Sequence, residues 1–580
     1  MRLHNIVRNH IICTAGHVDH GKSSLVQALT GIDPDRWDEE KRRGLTIDLG
    51  FAKTSFKNGN SVSFIDVPGH ERFIKNMLAG IGSVDACLFV VAATEGWKPQ
   101  SEEHLRILEL MGVQRGIVAL TKISNADPEL CELATFELDE KFKGTFLEHA
   151  PIILVDSITG EGLQNFSKAL ESLLDETPVA RDQERPRLWI DRVFSIKGSG
   201  TIITGTLTGG VLSVNDEILI SPDKGLSRIR SLHIHNKEVT FAAPGSRVAI
   251  NLSGIEHQLL SRGHVVTKPD QWFLTSVIDV QLQVLPNIGY EVSRRGAYVV
   301  YIGTSEHYAK VRVLGASPIP AGHTGYVRIF LDTKIPLMLG DKFILRESGR
   351  NETVGGGKVL DPEPILKASK AQPDDSIDRI VRERGWITSS HLEALTGVSK
   401  NETVPGWIVD PPILEETIKE LNGKIENAGP LGAEMSALND YERAALLLID
   451  DVEIEGNYVQ KQGRSNLLDH PFLNDLQSSL FQPPDPDSIT RKELRELVRK
   501  GYVIDQNGIF FSAAAITEAT KIISSLLIEK PEGVTVAEIR IALNTSRKYA
   551  LPLLNYLDEI GVTIRRDSVR IAGKRLNENI

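Results

Sequence analysis

The 580-residue chain has only three cysteines, Cys13, Cys87 and Cys131, all in its first third. That number excludes a disulfide scaffold, and the spacing is not that of a zinc site, so a reducing compartment is expected. Long uncharged apolar runs are missing, and Met1 to His10 lacks the order of a secretory leader. No membrane association is therefore expected, and a cytoplasmic location is. A basic excess is missing too. Lys plus Arg number 66 against 77 for Asp plus Glu, a formal net charge of −11, so any nucleic-acid contact must come from a local patch. The remaining composition, 41% hydrophobic and 25% charged, is that of a soluble globular protein, and the length calls for about four or more domains.

What is present begins at residue 16. Gly16-His17-Val18-Asp19-His20-Gly21-Lys22-Ser23, followed by Ser24, has the pattern of a loop that cradles phosphates. Gly16 and Gly21 let backbone amides turn inward without side-chain interference. Lys22 can reach the β- and γ-phosphates, and Ser23 can offer its hydroxyl to Mg²⁺. The apolar run Ile11–Ala15 ahead of the loop and the helical spacing of Ser24–Thr30 behind it put a helix N-terminus under the phosphates. An ordinary glycine turn would need neither flank.

From Ile11 to about Val179, strand-like runs (Ser61–Asp66, Ala86–Ala93, Ile117–Lys122, Ile152–Asp156) alternate with helical ones (Glu71–Ala79, Gln100–Met111, Leu163–Leu174). This is the pattern of an α/β domain, a mostly parallel sheet covered on both faces, with its ligand at the carboxyl ends of the strands. Asp66-Val67-Pro68-Gly69-His70 follows one such strand. Asp66 can hold a water on the metal, the Gly69 amide can meet the γ-phosphate, and His70 can position the attacking water. Between the two motifs, Glu40-Lys41-Arg42-Arg43-Gly44-Leu45-Thr46 offers Thr46 as a second hydroxyl for Mg²⁺, in a loop of the kind that orders on a γ-phosphate. A solvated charge run would explain Glu40 to Arg43 but not the apolar residues after them.

These motifs, with Arg43–Phe51, Asp66–Gly80, Gly96–Ser101, Trp189–Arg192, Gly198–Thr206 and Gly340–Pro362, resemble the elongation-factor Tu branch of translational GTPases, and most closely its selenocysteine-specific SelB family. The resemblance implies a GTPase using GTP/GDP and Mg²⁺, with Lys22 and His70 catalytic and Ser23, Thr46 and Asp66 at the metal. The nucleotide would also be held by Gly16–Ser24, Gly69, Thr121, Lys122, Ser124 and Ser157. It implies selenocysteyl-tRNA, the ribosome and a messenger-RNA hairpin downstream of a UGA codon as partners of a monomer. One departure matters. The family has Asp at the fourth position of Thr121-Lys122-Ile123-Ser124, where a carboxylate accepts from guanine N1 and N2. A lone serine oxygen does not replace both bonds, so weaker guanine selectivity is expected. Asp127 could substitute through a loop shift, which Pro128 restricts. The next base-side motif is also altered, to Asp156-Ser157. An alternative reading follows: a degenerate RNA- or tRNA-binding relative that hydrolyses little GTP.

The expected organisation is a P-loop domain over residues 1–182, β-barrels over 183–271 and 272–368, winged-helix units over 372–514 and a last winged helix over 515–580. The barrels follow from short alternating runs punctuated by glycine, such as Thr201–Leu207. By the resemblance, Asp191, Arg192 and Arg247 line the aminoacyl pocket, where a cationic site would favour an ionised selenol over a serine hydroxyl. Winged helices follow from a loose repeat: Leu494–Ser512 and Leu553–Ala572 each read as helix, glycine stop and hairpin. The stretch from Asn427 to Asn457 shows no clear pattern. In the last unit Arg547, Lys548, Arg565, Arg566 and Arg570 make a basic surface suited to an RNA backbone and loop.

Overall fold

The computed structural model describes residues 8–576 apart from 36, 44, 83, 197, 199, 295, 316–317, 429–430 and 463–466, with the side chains of 41, 43 and 71 also excluded. Gly44 and the Arg43 side chain of the motif above therefore lie outside the described residues.

Alternating apolar strands and amphipathic helices give a six-stranded sheet. Its strands are β1 (Arg8–Ala15), β2 (Gly50–Ser55), β3 (Asn60–Asp66), β4 (Ala86–Ala92), β5 (Gly116–Thr121) and β6 (Ile152–Leu154), in the order β2-β3-β1-β4-β5-β6. Only β2 runs antiparallel to its neighbour. Helices α1 (Lys22–Thr30) and α6 (Leu163–Glu176) cover one face, burying Leu25, Phe166 and Leu170 against Phe64. The opposite face carries α3 (Ile74–Ile81), α4 (Pro99–Leu110) and α5 (Pro128–Phe142), with Met77, Leu105 and Leu138 packed around Phe89; the short α2 (Asp38–Arg43) lies between α1 and β2 in the chain. Three elements are absent from the sequence reading. Helix α5 buries Cys131, Ala134, Leu138 and Phe142 while Leu133 and Phe136 on its other side stay exposed, which blurs the apolar stripe. Helix α2 overlaps the stretch read as a responsive loop, and strand β2 follows directly after it.

Two barrels follow. In the first, strands Glu217–Ser221 and Gly225–Ile234 close a ring with Arg187–Ile196, Gly200–Thr208, Ser246–Ser253 and Val265–Thr267. The second is a closed six-stranded barrel from Leu274–Val284 to Glu352–Asp361. Its core is continuous with the α3–α5 face of the first domain. Arg187 of the first barrel grips Asp341 of the second through two bonds of 2.7 and 2.6 Å, with its guanidinium 4.4 Å from the Trp272 ring centre.

The chain divides into two compact units at Asp410/Pro411, inside the segment expected to be one block of winged helices. Helices Ile377–Arg384 and Ser389–Thr396 belong with the barrels because Arg379 and Arg384 are buried on Asp361, at 3.4 and 3.2 Å. The second unit holds three helix-and-hairpin modules. Gly501 and Gly561 take positive φ after their helices, and capping boxes at Thr490 and Thr535 start helices in the last two modules. The stretch from Asn427 to Asn457 contains the helix Asp440–Ala445 and the strand Val452–Glu455, which is only four residues long and leaves Ile454 54% exposed.

Asp85, just ahead of β4, accepts the Ile11 amide at 2.7 Å, and burial raises its pKa to about 6 despite that bond. A carboxyl with a raised folded-state pKa costs stability that accrues as pH rises from its ordinary value to the raised one, is complete above it, and is absent below the ordinary range. Asp85→Asn should therefore stabilise the protein by about 1–2 kcal/mol at pH 7.5, with the gain vanishing below about pH 4. Denaturant melts across that range check it.

Candidate functional site

At the carboxyl ends of β1, β3 and β5 the sequence motifs meet. The loop between β1 and α1 wraps Lys22, whose buried ammonium donates to the carbonyls of Gly16 and His17 at 3.1 and 2.7 Å. Gly16 has φ 127°, and a Cβ there would lie 2.1 Å from the Val90 carbonyl oxygen. Gly21 has φ 83° and Asp19 φ 63°; Val18 shares the turn with Asp19, and Ser24 lies exposed in the first turn of α1. His20 is buried, and burial lowers its pKa to about 3, so it is neutral. The Gly16 amide donates to Nδ1 of buried His104 at 3.0 Å, a support from α4 that has no sequence motif. Gly69 lies directly on this loop: a Cβ there would fall 2.4 Å from Lys22 Nζ and 2.7 Å from the Val18 nitrogen.

Beside the loop, oxygen donors from separate segments converge. Asp66 is fully buried and accepts the Ser23 hydroxyl at 2.6 Å and the Thr14 hydroxyl at 2.7 Å. Ser23 and Thr46 hydroxyls are 2.9 Å apart, and Thr46 donates to Asp35 at 2.9 Å. Burial, partly opposed by that Thr46 bond, raises Asp35 to about 6; burial also raises Asp66, against the Ser23, Lys22 and Thr14 contacts. A compact set of hydroxyl and carboxylate oxygens suits a hard divalent cation such as Mg²⁺. Asp35 was not foreseen.

Glu40 corrects the solvated-charge reading. It is 2% exposed, and its carboxylate accepts the amides of Trp37, Ile47 and Asp48 at 2.9, 3.0 and 3.1 Å. It thus closes the loop that carries Thr46. His70 is half-buried at the start of a 3-10 turn, and its Nδ1 accepts the Arg72 amide at 3.2 Å.

On the base side, Thr121 donates to the His20 carbonyl at 2.6 Å, tying β5 to the phosphate loop. Lys122 takes φ 58° and lies 3.5 Å from Glu95. Ser124 is exposed and donates to Asp156 at 2.5 Å, while Ser157 next to it is half-buried. Asp127 is the N-cap of α5 with Pro128 at its first position, so the loop shift considered above is not what the fold uses.

Asp191, Arg192 and Arg247 also come together. Arg247 donates to Asp191 at 2.8 Å, and the Arg247 and Arg192 guanidinium carbons lie 3.5 and 4.3 Å from the Phe51 ring centre. Phe51 comes from β2, so the first domain completes a cavity of about 320 Å³ that also takes in Thr204, His233 and His235. Arg262, missed in the sequence, links this wall to the responsive loop, bonding Asp48 at 2.5 Å, Asn76 at 2.9 Å and the Asp191 carbonyl at 3.0 Å.

In the last winged helix Arg547, Lys548, Arg565 and Arg566 are exposed, and Arg540 joins Arg547 and Arg565 around a pocket of about 450 Å³. Arg570 departs from expectation. It lines the same pocket across from Arg565 but is 3% exposed, because its guanidinium is drawn onto Asp558 at 3.1 Å. It braces the hairpin against the helix that carries Asp558.

This fold and this cradle define a translational GTPase of the elongation factor Tu kind. Residues 7–176 match the elongation factor Tu GTP binding domain, and 200–267 match elongation factor Tu domain 2. Residues 290–365 match the selenocysteine-specific elongation factor β-barrel domain, and 525–572 the winged helix of elongation factor SelB. Curated selenocysteine-specific elongation factors from Desulfomicrobium baculatum and Escherichia coli are 30% and 28% identical to the chain. They cover 97% and 96% of it and are themselves covered over 100% and 97% of their lengths. A crystal structure of a bacterial selenocysteine-specific elongation factor superposes with a TM-score of 0.74 at 27% identity, over 98% of this chain and 100% of that one. The chain belongs to the selenocysteine-specific elongation factors, and the degenerate alternative is not favoured.

Removing the Glu40 brace should free three amides and loosen residues 37–48. Glu40→Ala is expected to speed hydrogen exchange across that loop and to weaken a GTP analogue about tenfold or more, while changing GDP binding little. Exchange mass spectrometry and paired titrations read both effects.

Proposed function

We infer that the protein binds GTP with Mg²⁺, carries selenocysteyl-tRNA to ribosomes paused at a recoded UGA codon, and hydrolyses GTP there under ribosomal stimulation. The supporting observation is the convergence of Ser23, Thr46 and Asp66 from three segments on one point beside the Lys22 cradle. Mg²⁺ held by these oxygens would neutralise charge on the β- and γ-phosphates. Lys22 and the loop amides stabilise the charge that builds on the transferring phosphoryl group. The nucleophile is a water oxygen, which bonds the γ-phosphorus as the bond to the GDP oxygen breaks. His70 orients that water through Nε2, its Nδ1 being engaged by Arg72. Gly69 offers its amide to the γ-phosphate, and Thr121, Lys122, Ser124 and Ser157 hold the base.

The aminoacyl end binds at Phe51, Asp191, Arg192 and Arg247, where two guanidinium groups favour a selenolate over a neutral hydroxyl. Arg547, Lys548, Arg565 and Arg566, joined by Arg540, hold a messenger-RNA hairpin. Among the described residues no helix is long and apolar enough to cross a membrane. As a carrier for ribosomes the protein would act in the cytoplasm, as a monomer.

With GTP the protein should retain selenocysteyl-tRNA at least about 100-fold more tightly than seryl-tRNA, a gap that Arg247→Ala should shrink. Equal retention of the two would refute the carrier role. His70→Ala should lower ribosome-stimulated hydrolysis by about 10²–10⁴ while leaving GTP affinity within a few-fold.

A further inference from the structure

We propose that guanine is read by a two-residue unit, Ser124 and Asp156, in which the carboxylate has moved from the loop after β5 to the loop after β6 and acts through the serine hydroxyl. This rests on the nucleotide-binding reading above and deepens it. Ser124 occupies the position where the resemblance leads one to expect aspartate. It is exposed, whereas Asp156 is 3% exposed and stands behind it. The Ser124 hydroxyl donates to Asp156 Oδ2 at 2.5 Å, and the Ser124 amide approaches the same oxygen at 3.4 Å. The other oxygen, Oδ1, accepts the amides of Ile158 and Thr159 at 2.9 and 3.0 Å, which fixes the carboxylate in its own turn.

The chemistry follows from where one proton goes. A hydroxyl has one proton and two lone pairs. Burial alone would raise the Asp156 pKa, but the Ser124 hydroxyl and the Thr159, Ile158 and Ser124 amides outweigh it and hold it at about 2. The carboxylate is therefore ionised at neutral pH and accepts only. Ser124 must give it the proton, and its oxygen then turns lone pairs alone toward the base. Guanine meets that oxygen with the N1 and N2 hydrogens. Adenine would meet it with the N1 lone pair and be repelled. A hydroxyl oxygen bonded to an anion is also a stronger acceptor than a free serine. The loss of selectivity expected from Ser124 taken by itself is thereby offset, and Asp156 is a positioning residue for the base.

The test uses the full chain and displacement of fluorescent GDP by GDP, IDP and ADP. Asp156→Asn keeps an oxygen for the Ile158 and Thr159 amides but turns an N–H toward Ser124, so the serine proton swings toward the base. We expect this variant to lose most of its GDP-over-ADP preference, by about 100-fold, with IDP intermediate in the unaltered protein. Ser124→Ala, which leaves the turn intact, should do the same and decides the matter if the Asn variant folds poorly. Ser124→Asp places two carboxylates in contact and should bind GDP weakly. Adding Asp156→Ser to it should restore the preference to within a few-fold, which a purely structural role for Asp156 would not do. An unchanged preference in Asp156→Asn and Ser124→Ala, or a double exchange no better than Ser124→Asp, overturns the two-residue unit while leaving the GTPase reading in place. A chain that binds no guanine nucleotide overturns both.

Discussion

The structure is organised around the burial of one carboxylate, Asp66, at the end of β3. Taking a carboxylate fully out of water is costly unless its oxygens are hydrogen-bonded. Thr14 and Ser23 supply those bonds from β1 and α1, and Lys22 lies near enough to favour the charge. Meeting that requirement brings together the ends of two parallel strands and the first turn of a helix. The same few bonds therefore serve the stability of the domain and the geometry of its phosphate site. The raised pKa of Asp66 shows that the hydroxyls do not compensate burial in full, and a cation placed there would complete the compensation.

From that point a contiguous chain of contacts leads outward. Ser23 touches Thr46, and the loop carrying Thr46 is closed by Glu40, whose carboxylate holds the amides of Ile47 and Asp48. Asp48 is ion-paired to Arg262 of the first barrel, which in turn holds the backbone of Asp191. Burial opposes ionisation of Asp48, but Arg262 outweighs it and lowers the pKa, so the charge persists where the loop meets the barrel. Arg192 follows Asp191 directly and lies on Phe51, the second residue of β2. A rearrangement at Thr46 thus has a short, polar and largely buried route to the guanidinium groups of the cavity.

Much of this was legible in the chain because the chemistry demands particular residues at particular spacings. Gly16, Gly21, Lys22, Ser23, Thr46 and Asp66 are readable as one site, since nothing else explains two glycines, an amine and three oxygens at strand ends. Glu40 was misread because a carboxylate within a charged run looks solvated until the amides that fold over it are known. Asp35 and His104 lie in no motif, and their parts depend wholly on tertiary placement. Arg570 was read as exposed with Arg565, whereas its pairing with Asp558 buries it, a contact that depends on tertiary placement. The exchange at Ser124 and Asp156 shows the limit most clearly. Each position taken alone reads as a loss, and only their contact reveals a partnership.

The GTPase domain with its barrels and the last winged helix differ in how they use charge. Around the GTPase domain and barrels, arginines are buried on carboxylates: Arg187 on Asp341, Arg328 on Asp279, Arg379 on Asp361. Such pairs contribute little net stability but penalise any arrangement that parts them, so they fix how the barrels and their neighbours pack. In the last winged helix, by contrast, Arg547, Arg565 and Arg566 project into solvent, where they are available to phosphates and are weakened by salt. Under the proposed RNA role, selectivity for a short folded RNA would come from the fit of this small basic surface, because a chain of net charge −11 offers a long RNA backbone little elsewhere.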